Sequence, residues 1–110
     1  MGGEDREETW NDFRELVNMS PAELEKWLAS DRSRNAGEQR NGGESTGHAS
    51  GRRIVAILRA RKGDLTDDDY QHMRKVVGYV RRHLAQRPSG DVQDSRWRHS
   101  LMNWGHDPLA

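Results

Sequence analysis

The side chains with the most chemical potential in this sequence are cations. Arg52, Arg53, Arg59, Arg61 and Lys62 fall within eleven residues that hold no acid. Further on, Lys75, Tyr79, Arg82 and His83 share one face of a helix drawn through them at 100° per residue. Cations neutralise phosphates, and a ring among them can stack on a base or touch a sugar. The mixture points to a nucleic-acid surface on which Arg52, Arg53, Arg59, Arg61, Lys62, Lys75, Tyr79 and Arg82 make the contacts, with DNA or RNA as partner. The plainer reading is a solvated face, which every amphipathic helix needs.

Other chemistries find little to work with. Cys is absent, which excludes a disulfide scaffold, thiolate catalysis and Cys-based zinc sites. His99, His106 and Asp107 lie near one another, but neither an HExxH pattern nor a convergent ligand set accompanies them. No glycine-rich phosphate loop follows a strand, and there is no nucleophile elbow. Ser20 and Thr66 are accounted for as helix caps. The expectation is a protein that is not an enzyme and carries no metal or cofactor.

Composition bounds the scaffold that must hold these residues. A chain of 110 residues fits one domain. Val, Ile, Leu and Phe together number only 17, below the roughly 20 % of globular chains. Disorder is nevertheless not the expectation, because 18 basic and 18 acidic side chains cancel, and four Trp and four Met add core material. The cancellation hides an asymmetry. Residues 1–50 carry 6 Lys or Arg against 11 Asp or Glu, whereas residues 51–110 carry 12 against 7. The two halves can attract each other, or leave a basic face for a polyanion. No apolar run approaches the ~18 residues of a membrane span, and the acidic start is no secretory signal. A soluble, cytoplasmic protein is expected.

Helical spacing organises the chain. Trp10, Phe13, Leu16 and Val17 form a stripe from about Thr9. Ser20, Pro21 and Glu23 then read as N-cap, first helical position and capping box, with Met19 and Leu24 as a hydrophobic staple. Leu24, Trp27 and Leu28 face inward. Residues 29–51 hold five Gly and nothing more apolar than Ala, so a flexible loop is expected there. Ile54, Val55, Ile57 and Leu58 mark a short helix that Gly63 ends as a left-handed cap. Thr66 caps the longest helix, with Asp67 to Asp69 in its first turn and Met73, Val76, Val77, Val80 and Leu84 on its stripe. Gly78 within it reads as a place where another helix packs closely. Pro88-Ser89-Gly90 stops it. A last helix runs from about Asp94 to Trp104, with Trp97, Leu101 and Trp104 on one side, as core or as a ligand-stacking platform. No strand pattern and no internal repeat appear.

The expected fold is therefore all-α: a small bundle of about five helices with a long flexible loop. An acidic two-helix front (9–28) precedes the loop (29–51), and a basic three-helix back (52–105) follows it. Gly63 between two helices invites a helix-turn-helix reading, which fails on charge. The second helix would enter the groove N-terminus first, and that end is Asp67-Asp68-Asp69.

The tail Arg96-Trp97-Arg98-His99-Ser100-Leu101-Met102-Asn103-Trp104-Gly105-His106-Asp107-Pro108 resembles the signature end of a small bacterial family of unknown function. Phe13 to Ser20, Glu23 to Leu28, and Gly63-Asp64-Leu65-Thr66 through to His83-Leu84-Ala85-Gln86-Arg87-Pro88 look similar too. Some members of that family carry the label of DNA-binding protein, so the resemblance implies DNA binding without assigning a functional residue. More loosely, Ser20 to Leu28 and Gly51 to Leu58 are similar to the two helices of SAP-like DNA-binding modules. The reading that results is a small DNA-binding accessory or regulatory protein acting through a basic helical surface. A protein–protein adaptor or homodimer, docking through its acidic and basic halves, is the alternative.

Overall fold

Two capping boxes fix the helix starts that matter most. The Ser20 hydroxyl accepts from Glu23 N–H while the Glu23 carboxylate accepts from Ser20 N–H, both at 3.1 Å. Thr66 and Asp69 repeat the arrangement at 3.2 and 3.0 Å. In the computed structural model, which describes residues 3–36 and 46–110, these starts belong to two of six helices. They are α1 (Gly3–Leu16), α2 (Pro21–Leu28), α3 (Asp31–Ala36), α4 (Thr46–Arg59), α5 (Asp67–Leu84) and α6 (Arg96–Asn103). The fold is all-α, with no strand among the described residues.

Helix α1 packs on α5, α2 on α4, and α3 on α6, while α6 also touches α2, α4 and α5. The short last helix is thus the hub. Phe13, Leu24, Ile54, Ile57, Met73, Val76, Val80 and Leu101 are fully buried around it, and Trp97 and Trp104 are 7 % and 3 % exposed. Both indoles belong to the core, where such rings supply a large share of the buried apolar area.

Several expectations are corrected. Helix α1 begins at Gly3, ahead of Thr9. The loop expected over 29–51 holds two helical stretches, α3 and the start of α4; the rest of that expectation, residues 37–45, lies outside the described residues. Composition misleads here because α3 is fastened by polar groups, with Ser33 fully buried against Asn103. The front of α4 is built from small residues for a packing reason. A Cβ on Gly51 would stand 2.5 Å from Asn103 O and 2.7 Å from Leu28 Cδ2. Gly51, not Gly78, is therefore where a helix packs closely; a Cβ on Gly78 would meet only the flexible Arg82 head at 3.1 Å. Gly63 is no left-handed cap. It lies in a 3-10 turn, Lys62–Asp64, and among the described residues only Gly90 and Gly105 have positive φ.

Candidate functional site

The acidic front docks on the basic back and takes up much of the arm's charge. Glu25 pairs with Arg59 at 3.1 Å, and Glu7 with Lys62 at 3.0 Å. Lys62 also sits 5.3 Å above the Trp10 ring. Within the back, Arg53 meets Asp69 at 3.3 Å, and beside the arm Asp12 meets Arg81 at 3.5 Å. These pairs are largely exposed and contribute little to stability. Their consequence is electrostatic: of the cations that the sequence assigns to phosphate, Arg53, Arg59 and Lys62 each have a carboxylate against them. Arg52 and Arg61 are exposed on the same arm.

The other predicted residues lie elsewhere. Lys75, Tyr79 and Arg82 line one wall of a cleft of about 880 Å³ between α5 and α6, with Ala36 and Thr46 at its rim. Arg96, which sequence reasoning does not single out, joins them from α6. Its guanidinium is steadied by the carbonyls of Asn35 and Ala36, both at 3.3 Å. No carboxylate lines the cleft among the described residues. Lys75 and Arg82 are exposed and enter no ion pair among those residues. So the structure divides the predicted set: three residues gather on the cleft, and five stay on the arm.

Rings make up the inner wall. Tyr79 lies parallel to Trp104, with centroids 4.1 Å apart and planes 13° apart. The series continues to His83 on one side, at 5.1 Å, and from Trp104 to His72 at 6.3 Å. His83 in turn lies 6.4 Å from Trp97, whose indole N–H donates to the His83 carbonyl at 2.6 Å. Spacing sets Tyr79 on an open cationic face; the structure half-buries it instead. Burial raises its phenol pKa, against the Ser100 hydrogen bond and the Arg82 charge. Burial also lowers the pKa of His83 and of His72, in the latter case with the charges of Arg53 and Lys75 adding to the effect. Neutral rings are what this wall holds near pH 7.

The unusual tail is a clamp. Asn103, 1 % exposed, accepts from Trp27 Nε1 at 2.8 Å and from the Ser33 hydroxyl, and its amide donates to Ser33 O at 3.0 Å. Arg98 grips Asp107 through two bonds of 3.0 Å each and donates a third to Gln93 O at 2.8 Å. Asn18 exchanges hydrogen bonds with the backbone of Asp107 at 2.8 and 3.0 Å. His106 Nδ1 donates to Leu16 O at 2.6 Å, closing the end of α1. His99 lies 5.2 Å from the Trp27 ring instead of joining His106, and the described residues contain no metal-binding group of three His, Asp or Glu. None of their helices is long and apolar enough to cross a membrane.

No curated protein and no solved structure matches this chain. Residues 12–102, which include the arm, Tyr79 and Trp97 but stop short of Asn103, Trp104, His106 and Asp107, match the family described as "Protein of unknown function (DUF3140)", and the chain belongs to that family.

Proposed function

We propose that this protein is a small nucleic-acid-binding accessory or regulatory factor of the bacterial cytoplasm, with DNA as its partner and the α5–α6 cleft as its contact surface. One observation carries the reading: Lys75, Arg82 and Arg96 surround an aromatic-walled cleft that no carboxylate lines among the described residues. Elsewhere the cations of Arg53, Arg59 and Lys62 already face carboxylates. A polyanion gains most where cations are not already compensated. The tail's resemblance to a family with members labelled DNA-binding supports the same reading. The adaptor alternative has less support, because Glu7, Asp12 and Glu25 spend their charge within the chain.

Phosphate contact has a measurable signature in salt. Binding of a labelled mixed-sequence DNA, followed by anisotropy, should weaken steeply between about 50 and about 200 mM salt, with a log–log slope of roughly one per phosphate contacted. A salt-independent affinity, or no binding at about 50 mM salt, removes the nucleic-acid reading and leaves the adaptor ahead.

A further inference from the structure

The shape of the cleft narrows the kind of nucleic acid it fits. Proteins that read duplexes push a helix or ribbon into a groove. Here the cations do the reverse: Lys75 and Arg82 on α5 face Arg96 on α6 across a hollow. The end of α5 that could protrude into a groove carries Asp67, Asp68 and Asp69. A duplex keeps its bases stacked inside a convex backbone, so it can offer the hollow only phosphates at the rim. An unpaired strand can bend phosphates towards the rim and turn a base inward. What it meets inside is aromatic, with Tyr79, Trp97 and Trp104 among the lining. The volume, about 880 Å³, lies within the ~300–1,000 Å³ of pockets that enclose small ligands.

We infer that the α5–α6 cleft receives single-stranded nucleic acid, with Lys75 and Arg82 on its phosphates and the accessible part of the Tyr79 ring against an unpaired base. The inference rests on the nucleic-acid reading above and specifies its substrate class. Arg96 anchors α3 through Asn35 and Ala36, so it both shapes the rim and presents charge. Of Tyr79, Trp97 and Trp104, Tyr79 alone is part-exposed and not buried.

The test compares a mixed-sequence single-stranded DNA oligonucleotide with the duplex of the same sequence, both labelled, at one low salt concentration. The single strand should bind about tenfold tighter or more. Tyr79→Phe should keep that preference, and Tyr79→Leu should lose most of it. A duplex bound as well as the single strand overturns the inference while leaving the cationic cleft as a duplex surface. Binding of neither overturns the inference and the nucleic-acid reading together. A folded Tyr79→Leu protein that binds like the parent also overturns it. If that variant does not fold, Lys75→Ala with Arg82→Ala, both at exposed positions, must weaken single-strand binding by about tenfold; unchanged binding refutes the assignment.

Discussion

At the scale of single residues, Asn103 and Asp107 hold more of the molecule together than their polarity indicates. Asn103 serves Trp27 and Ser33 from a fully buried position. Asn103→Leu strands those partners, at about 1–3 kcal/mol for each unsatisfied group, so a loss of about 3 kcal/mol or more is expected in urea unfolding. An unchanged midpoint would show that Trp27 and Ser33 find other partners. For Asp107, burial pushes the pKa up from 3.8, but the Arg98 hydrogen bonds, the Leu109 N–H and the Arg98 charge together outweigh it and leave the carboxyl below that value. A depressed folded-state pKa means stability present above the unfolded value and lost as pH falls through the folded one. Asp107→Asn should therefore cost about 1–3 kcal/mol at neutral pH, and the gap to the parent should shrink below about pH 4. A gap independent of pH would mean that the charge of Asp107 adds nothing. Sequence reasoning places both residues in a distinctive tail but cannot see their work. A lone polar residue has no periodicity, and the partners of Asn103, Ser33 and Trp27, lie 70 and 76 positions away.

Among the helices, the legible ones are those whose starts carry caps and whose buried faces are apolar. Helices α2 and α5 satisfy both conditions, and both have the capping boxes to match. Helix α3 starts at a Ser30 cap, whose hydroxyl accepts from Ser33 N–H at 3.2 Å, but neither it nor the first turns of α4 carry an apolar stripe. Their sequence is small and polar because α3 is tied through Ser33, and because α4 approaches α6 at Gly51 more closely than a side chain allows. Two glycine substitutions separate propensity from packing. Gly51→Ala gains helix propensity, yet its methyl must displace the Asn103 backbone and Leu28, so net destabilisation is expected. Gly78→Ala meets only the movable end of Arg82 and should stabilise by about 0.5–1 kcal/mol. Thermal unfolding of the two variants decides it. Stabilisation by both would mean that α4 and α6 can separate at little cost.

For the whole molecule, the charge asymmetry between the halves is plain in the sequence, but its outcome is not. Which cation meets which acid depends on how α1 and α2 dock, and pairs such as Lys62 with Glu7 are 55 residues apart. In the fold, Arg53, Arg59 and Lys62 of the arm face carboxylates, whereas no carboxylate lines the cleft among the described residues. On the proposed reading, that distribution, rather than the number of basic residues, selects the surface a polyanion would meet. Salt titration of single-stranded DNA binding, for two variants beside the parent, reads it out. Lys75→Ala with Arg82→Ala removes two cleft cations, and Arg53→Ala with Arg59→Ala removes two that already face carboxylates. The cleft variant should lower affinity and flatten the log–log salt slope by about 1.4, from roughly 0.7 for each single-strand phosphate no longer neutralised. The arm variant should leave the slope near that of the parent. A flattened slope for the arm variant, with the cleft variant binding like the parent, would contradict this distribution of roles.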